Sequence, residues 1–291
     1  MRDDPLSRDQ GDKGSVGGGK IGRMACPETN WRDSSPPHGE ARCSKCSKPA
    51  IIKQEYSGQY FCHSHFMIDF ETKAKREIRN RCWLSLHDSI AVALSGGPGS
   101  TACLLLLHKL FSQRRDITLC AIHIDEGISS FRDIKDVISI ADQLGVSCIT
   151  RSFEDAYGMT VDQYATNHED VCAWCTEKRQ SFLDEVAREH NITKIAYGYH
   201  LEDISKAVLT GIVEGDPSSL LYGDARIDAK HIAPLYMIPK KEVMLYSGVT
   251  TLVQCPYAEV PEMDFLDQYA TRHPSVHHAI VSLAQRISRR V

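Results

Sequence analysis

The chain has 291 residues, of which 42% are hydrophobic and 25% are charged, values typical of a soluble globular protein with one large domain or two modest ones. No apolar run approaches the roughly 20 residues that span a bilayer, so no membrane partner is expected. The formal net charge of −4 neither demands nor excludes a nucleic-acid partner. Binding of phosphate would therefore require a local basic patch.

The 11 cysteines are the most informative part of the composition. The N-terminus, "MRDDPLSRDQGDKGSVGGGKIGR", has no apolar core of the kind that marks a secretory signal. We therefore expect a cytoplasmic protein in a reducing environment, where a disulfide framework does not form. Four of the cysteines occur as two C-x2-C pairs, which in such a compartment indicates metal binding.

The first part of the chain predicts three segments. Residues 1–40 are rich in Gly, Asp, Ser and Pro without periodicity, which is typical of a disordered tail. Residues 41–67 form a compact Cys/His segment, and residues 68–88 predict a basic linker helix. Its clustered cations suit either a nucleic-acid backbone or a solvated helix face. These cations are Lys73, Lys75, Arg76, Arg79 and Arg81.

From Ser89 onward, strand-like and helical patterns alternate with short connections. The strand-like stretches are "SIAVAL", "ITLCAIHID", "VSCITRS" and "TKIAYGY", and the helical patterns cover 99–112, 131–144, 176–190 and 202–214. This alternation predicts an α/β fold with a parallel sheet covered by helices on both faces. We expect one domain over 89–260 and one or two helices over 261–291.

The Cys/His segment predicts a structural zinc site. Cys43, Cys46, Cys62 and His65 give the pattern C-x2-C-x15-C-x2-H, and thiolates with one imidazole at this spacing suit tetrahedral zinc. The intervening "IIKQEYSGQYF" is patterned for a small hairpin. His63 is an alternative fourth ligand.

The glycine-rich stretch Ser95–Ser100, "SGGPGS", lies between a predicted strand and a predicted helix. Backbone N–H groups at such a turn, together with the positive end of the helix, can bind an anion. The stretch is neither a Walker A loop nor a dinucleotide fingerprint. It predicts a phosphate-binding turn, although any strand–helix unit can have a tight turn at this place.

The second pair, Cys172 and Cys175, precedes the predicted helix 176–190. By spacing alone this pair suits redox, zinc or iron–sulfur chemistry, or two buried thiols. Cys255, in "LVQCPYAEV", is an available distant partner. Three thiolates on a four-iron cluster would leave one iron open to a small ligand such as sulfide.

These features occur together in one known family. The glycine turn resembles the Ser-Gly-Gly-x-Asp-Ser loop of the PP-loop ATP-binding superfamily. The whole chain from Cys43 onward resembles the tRNA 2-thiouridine synthetases with an N-terminal zinc knuckle. The resemblance is carried, in chain order, by the zinc ligands, "AVALSGGPGS", "IHIDEGI", "DAYGMTVDQYA", the C-x2-C pair, "YGYHLEDISKAVL", "PLYMIPKKEV" and "CPYA". It implies a PP-loop fold of the adenine nucleotide alpha hydrolase type, preceded by a zinc-knuckle domain.

The resemblance implies roles for particular residues. ATP would be bound by Ser95, Gly96, Gly97, Gly99, Ser100, His123, Ile124, Asp125 and Gly198. A [4Fe–4S] cluster would be bound by Cys172, Cys175 and Cys255. Lys178 would be the catalytic lysine, and Glu202 and Asp203 would be the paired acids of the family motif Asn-Leu-Asp-Asp. Without the family, Lys178 is equally compatible with a solvated helix face. Glu202 and Asp203 are compatible with the first turn of a helix, where the dipole favours acids.

The implied reaction is ATP-dependent tRNA thiolation. ATP adenylates the uridine C2 oxygen, magnesium and Lys178 offset the phosphate charge, and sulfur then attacks C2 to give 2-thiouridine, AMP and pyrophosphate. The implied partners are tRNA and a sulfur donor, which is either a ubiquitin-like thiocarboxylate carrier or sulfide. Homodimerisation is expected from the resemblance alone.

The chain departs from the family pattern at two informative places. Gly99 and Pro98 stand where the loop usually has Asp and often Lys. After Cys175 the chain has "TEKRQ", where the family has Gly, two residues and a basic pair, and we interpret this as a shortened loop that moves Lys178. These departures favour a second hypothesis, a catalytically weak protein that binds nucleotide, metal and tRNA or a protein partner. A third is a PP-loop enzyme acting on a small molecule, which the basic helix and knuckle disfavour.

Overall fold

The computed structural model describes residues 41–129, 131, 133–215, 228, 230–250, 253–258 and 264–288. The predicted disordered tail, 1–40, and the predicted domain boundary at residue 260 lie outside these residues. Within them, no helix is both long enough and apolar enough to cross a membrane.

The Cys/His segment folds as a hairpin followed by a helix. Strands β1 (Ile52–Gln54) and β2 (Gln59–Phe61) pair antiparallel, and α1 (His63–Asn80) follows. This helix begins before the predicted linker helix, so the predicted boundary after residue 67 falls inside α1. It also ends earlier than predicted, because Cys82 and His87 adopt φ values of 51° and 67°, outside the right-handed helical region.

A five-stranded parallel sheet forms the centre of the protein and confirms the predicted fold class. Its strands are β3 (Ser89–Ala93), β4 (Thr118–Asp125), β5 (Cys148–Ser152), β6 (Lys194–Ala196) and β7 (His231–Ile232). The spatial order is β5-β4-β3-β6-β7. The chain builds outward from β3 to β5 and then returns to pair β6 with the other edge of β3. Such a reversal opens a crevice at the carboxyl ends of the strands.

Helices cover both faces of the sheet, as predicted. One face packs against α2 (Pro98–Phe111), α3 (Ile134–Gln143) and α7 (Leu201–Glu214), and the other against α6 (Val171–Glu189). Alternate strand residues explain the two cores, since Ile90 and Val92 face the first set while Ala91 faces α6.

The remaining helices complete the two layers. The short helices α4 (Phe153–Tyr157) and α5 (Val161–Ala165) precede α6. Near the C-terminus, α8 (Lys240–Ser247) packs against α2, and α10 (Val276–Ser288) packs against α7 after the preceding α9 (Asp264–Arg272). The predicted C-terminal helical segment therefore contains two helices among the described residues.

The knuckle shares its core with the α/β domain. Phe61, Phe66 and Phe70 are completely or almost completely buried in the same cluster as Leu104 of α2. The ring of Phe70 stacks on Tyr246 of α8 with centroids 3.9 Å apart. Loss of the knuckle fold would therefore expose apolar surface of the main domain.

Candidate functional site

The four predicted zinc ligands converge in the hairpin. Sγ of Cys46 lies 3.7 Å from Sγ of Cys62, and Nδ1 of His65 lies 3.3 and 3.4 Å from the sulfurs of Cys43 and Cys62. Two thiolates bound tetrahedrally at about 2.3 Å from zinc lie about 3.7 Å apart, so this donor set fits the ion. All four ligand atoms lie within 4.8 Å of one another. His63, the alternative ligand, is exposed and outside this group.

The backbone around the hairpin favours the thiolate form of Cys43. Burial acts to raise the pKa of this thiol, but N–H groups of Cys62, Lys45 and Cys46 donate to the sulfur and lower its pKa to about 6. Zinc binds thiolate rather than thiol, so fewer protons must be displaced when the metal binds.

Replacement of a knuckle ligand is expected to lower both metal content and stability. Cys46→Ser should lose the zinc and lower the melting temperature by about 10 °C, because the knuckle contributes aromatic side chains to the main core. Cys82→Ser, at an exposed cysteine, is the matched control and should leave both unchanged. Zinc analysis and thermal unfolding measure the result, and a C46S variant with a full zinc equivalent would contradict the assignment.

The serines at the two ends of the glycine turn hold it closed by hydrogen bonds. Gly96 adopts a φ of 76°, which only glycine adopts easily, and α2 begins with Pro98 in its first turn. The Ser100 hydroxyl accepts from the Ser95 N–H at 3.2 Å and donates to the Gly97 carbonyl at 3.2 Å. The turn is therefore held beside the N-terminus of α2, where the helix dipole favours a phosphate.

Gly99 and Gly198 bring the glycine turn into direct contact with the loop after β6. A Cβ atom placed on Gly99 would lie 2.3 Å from the Gly198 carbonyl oxygen. A Cβ atom on Gly198 would lie 2.1 Å from the carbonyl carbon of Gly99 and 2.3 Å from the Ser100 nitrogen. Both contacts are with backbone, which cannot swing aside. Residue 99 therefore has no space for the aspartate that the family loop usually has.

A cavity of about 260 Å³ opens at the crevice between β3 and β6. The carboxyl ends of β3, β4 and β6 form its floor, and α6 forms one wall. The residues from the predicted set that line it are Ser95, Gly97, Gly99, Ser100, Ile124, Gly198 and Asp203. The structure thus places most of the predicted ATP-binding residues around one cavity.

The end of β4 divides its side chains between two cavities, because successive strand residues point to opposite faces. Ile124 lines the 260 Å³ cavity, whereas His123 and Asp125 line a neighbouring cavity of about 680 Å³ on the other side of the glycine turn. Nδ1 of His123 lies 2.9 Å from the Leu94 carbonyl oxygen, and Asp125 accepts from the Gly127 N–H at 2.9 Å. His123 therefore links the end of β4 to the end of β3, and Asp125 stabilises the turn that follows β4.

Helix α6 presents Arg179, and not Lys178, to the 260 Å³ cavity. We call this the nucleotide cavity, because most of the predicted ATP-binding residues line it. Lys178 Nζ lies 3.3 Å from Glu177 and outside both cavities. Arg179 lines the 260 Å³ cavity and donates to Glu126 at 3.1 Å. Burial acts to lower the pKa of Arg179, but the charges of Glu126 and Cys175 raise it on balance.

The helix geometry also changes the interpretation of "TEKRQ". The predicted helix 176–190 begins earlier, at Val171, so both cysteines of the pair lie on α6. Cys175 precedes Lys178 by three residues and Arg179 by four, so both follow it by about one turn, with their own side chains about 100° apart around the helix. If no residue is deleted after Cys175, Thr176 stands at the position of the family's Gly. Arg179 then stands at the first position of the basic pair. This count needs no deletion, whereas the shortened loop stays the alternative interpretation.

The three cysteines predicted to bind the cluster lie in the same region. The pKa of the Cys175 thiol is raised to about 11 by burial, and the nearby thiols of Cys255 and Cys172 add to the shift. The three do not form a single-ion site, since the only group of three or more ligands within 4.8 Å among the described residues is the knuckle. A four-iron cluster does not require its ligands to meet at one ion, because its cysteines bind different irons.

Asp162 fixes the loop that contains Cys255. Its carboxylate accepts from the Tyr257 hydroxyl at 2.9 Å and from the Ser129 N–H at 2.8 Å. In the same loop, Val253 lines the 680 Å³ cavity together with residues of the glycine turn. The loop therefore extends from the glycine turn toward the cysteine pair on α6.

The paired acids at the start of α7 point to different sites. Asp203 lines the 260 Å³ cavity and accepts from the His200 N–H at 3.0 Å. Glu202 accepts from the Lys240 N–H at 2.7 Å, at the start of α8. Burial acts to raise the pKa of Glu202, but His200 and the Lys240 N–H lower it overall. Glu202 is thus an ionised anchor for α8 outside the nucleotide cavity.

Several residues of this site were not anticipated from the sequence. They are Glu126, Thr176, Arg179, Gln180, Tyr197 and Tyr199, all of which line the nucleotide cavity. Counting the family's Gly, two residues and basic pair directly from Cys175 could have identified Arg179. The aromatic residues follow β6 directly, and only their position at a strand's carboxyl end indicates a role.

The fold and the cavity are those of a PP-loop protein. A family model described as the PP-loop domain matches residues 68–253, and the chain belongs to this family. A second model, the N-terminal LIM domain of the 2-thiouridine synthetase TtuA, matches residues 42–67.

Within this class, the chain is similar to tRNA thiolation proteins. It is 27% identical over 271 residues to the tRNA 2-thiolation protein NcsA of Haloferax volcanii, covering 82% of this chain and 84% of the relative. It is 29% identical over 224 residues to Cytoplasmic tRNA 2-thiolation protein 1 of Aspergillus niger. This match covers 73% of this chain and 65% of the relative.

A solved structure supports the same relationship. It is the U34-tRNA thiolase NcsA from Methanococcus maripaludis with its [4Fe–4S] cluster. The two structures superpose with a TM-score of 0.76 at 27% identity, covering 86% of this chain and 88% of the thiolase. The family resemblance predicted from the motifs is confirmed.

Proposed function

We propose that this chain is an ATP-dependent tRNA sulfurtransferase that converts uridine to 2-thiouridine. The observation that carries the proposal lies on α6. The Cys175 thiol interacts electrostatically with the other two predicted cluster ligands, and about one turn later Arg179 lines the cavity at the glycine turn. Helix α6 therefore connects the predicted cluster ligands to the nucleotide cavity.

The reaction replaces oxygen by sulfur without net oxidation. The uridine C2 oxygen attacks the α-phosphorus of ATP, the bond to the β-phosphate oxygen breaks, and the N3 proton is released. Hydrosulfide then attacks C2, its proton returns to N3, and AMP leaves with the former C2 oxygen. Cys172, Cys175 and Cys255 would hold a [4Fe–4S] cluster, which would supply a binding place for the sulfur.

The residues of this chain stabilise charge and position the phosphates. The glycine turn and the N-terminus of α2 hold the phosphate chain. Arg179 offsets the charge that develops as pyrophosphate leaves, the role that the sequence assigned to Lys178. Two carboxylates line the cavity, and Asp203 is the one that can bind magnesium, since Glu126 accepts from Arg179. Glu202 positions α8 and does not contact the reacting atoms.

The binding-only hypothesis is not favoured by the relatives, which are named for tRNA thiolation. The absent aspartate at residue 99 is better explained by the backbone contact with Gly198 than by decay of the site. The cytoplasmic location, the homodimer and the sulfur donor, a thiocarboxylate carrier or sulfide, remain parts of the proposal.

Release of pyrophosphate tests the adenylation step. Anaerobically reconstituted protein should release pyrophosphate from ATP in the presence of magnesium, sulfide and tRNA that contains the target uridine. Omission of tRNA, or its replacement by a transcript lacking that uridine, should reduce release to the background. Equal release from all three samples would contradict adenylation of tRNA.

A further inference from the structure

The five clustered cations, four on α1 and Arg81 directly after it, fall into two groups. Lys73 and Arg81 point inward, where Lys73 Nζ lies 2.9 Å from buried Glu242. Arg81 lies 3.0 Å from Glu77, with its guanidinium 4.3 Å from the ring centroid of Tyr236. These two side chains stabilise the contact between α1 and the main domain and do not offer charge to a ligand.

The other three cations of α1 lie on the surface, and two of them, Lys75 and Arg79, border a groove. Lys75, Arg76 and Arg79 are exposed. The groove has a volume of about 460 Å³ and lies between α1 and the C-terminal end of α2. Its rim includes Lys75, Arg79 and Arg114, and its floor includes Ile78, Leu110 and Phe111.

The acids in this region are already engaged by protein cations. Glu71 lies 2.5 Å from Lys109 and 3.9 Å from Lys75, and Asp116 lies 2.5 Å from Arg114. These pairs partly neutralise the cations as well, but Lys75, Arg79, Lys109 and Arg114 outnumber the two acids, so the groove keeps a net positive charge on a chain of net charge −4. A polyanion is the partner that such a surface fits, and an RNA backbone repeats its charges along an extended line.

The groove lies at a distance from the cavity that an RNA stem can span. Helix α2 has 14 residues, begins at the glycine turn and ends at Phe111 on the groove floor. Its length is therefore about 20 Å. A helical stem with a rise of about 3 Å per base pair covers that distance in about seven pairs.

We propose that this groove binds the phosphate backbone of the tRNA while the target uridine occupies the nucleotide cavity. This inference rests on the proposed function, because it names the surface by which the same substrate is held. The contact is electrostatic and independent of base identity. It should therefore contribute to affinity for any tRNA and leave the chemical step unchanged.

Binding of fluorescein-labelled tRNA at about 50 to 200 mM KCl tests the proposal. The double variant Lys75→Glu, Arg79→Glu should weaken binding at least about tenfold and reduce the salt slope by about 1.5 to 2. Its zinc content, melting temperature and ATP affinity should match the wild type. The control Arg151→Glu, Arg188→Glu changes net charge equally at exposed residues of β5 and α6.

The possible outcomes distinguish failure of the groove proposal from failure of the proposed function. Unchanged tRNA binding by the groove variant, while the wild type binds and thiolates tRNA, would overturn the groove and leave the proposed function. Equal weakening by the control would also overturn it, since long-range charge would then be the cause. An acidic protein that binds the groove in preference to tRNA would overturn it too. If the wild type bound no tRNA, both proposals would fail.

Discussion

Replacing Arg179 with alanine is expected to lower the rate of tRNA-dependent pyrophosphate release by about 10²–10³-fold, the usual effect of removing one group that stabilises transition-state charge. Lys178→Ala should change the rate by less than about threefold, because Lys178 is partly exposed and pairs with Glu177 outside the cavity. Arg179→Lys should recover part of the activity, since it keeps the charge but loses the forked donor geometry.

A further variant separates catalysis from simple charge imbalance. Arg179 donates to Glu126, so its removal leaves a carboxylate beside the phosphates. If that stranded charge caused the defect, adding Glu126→Gln to Arg179→Ala should restore activity. We expect no recovery in the double variant. Single-turnover rates measured at saturating ATP give the comparison, and a larger defect in Lys178→Ala than in Arg179→Ala would contradict the assignment.

Introducing the family's aspartate at residue 99 is expected to damage the protein rather than improve it. In Gly99→Asp the new Cβ would lie 2.3 Å from a backbone oxygen, so the glycine turn or the β6–α7 loop must move. We expect a loss of about 1–3 kcal/mol in the free energy of unfolding. ATP affinity should fall at least about tenfold, because the displaced turn no longer presents its donors together.

Pro98→Asp is the matched control for the aspartate at residue 99. It places the same carboxylate one residue earlier, in the first turn of α2, where a side chain is already accommodated and the helix dipole favours an acid. Denaturant unfolding and calorimetric ATP titration measure both variants. If Gly99→Asp were as stable as the wild type and turned over faster, residue 99 would be a lost magnesium ligand and the backbone contact unimportant.

Features encoded by neighbouring residues were predictable from the sequence. The zinc ligands follow from two local spacings, and the parallel sheet follows from alternating periodicities. The choice between Lys178 and Arg179 is not fixed in this way. Both residues lie about one turn after Cys175 on α6, which begins at Val171 and not at 176, and only Arg179 lines the 260 Å³ cavity.

Features that depend on distant contacts could not be predicted in this way. The space around Gly99 is set by Gly198, which is distant in sequence and belongs to another loop. The different directions of Glu202 and Asp203 depend on where α8 begins, since the Lys240 N–H binds only one of them. Likewise, only the position of Glu242 against Lys73 shows that this lysine is unavailable to an RNA ligand.

The central claim is that three thiols converge beside an ATP-binding turn in an enzyme that thiolates uridine. Mass spectrometry of tRNA nucleosides tests this claim most directly. After anaerobic incubation with ATP, magnesium and sulfide, the wild type should yield 2-thiouridine together with bound iron. Cys255→Ser should yield neither, whereas Cys120→Ser, a strand cysteine outside the trio, should yield both. The absence of 2-thiouridine from wild-type protein with a complete cluster, or its formation by Cys255→Ser, would contradict the account.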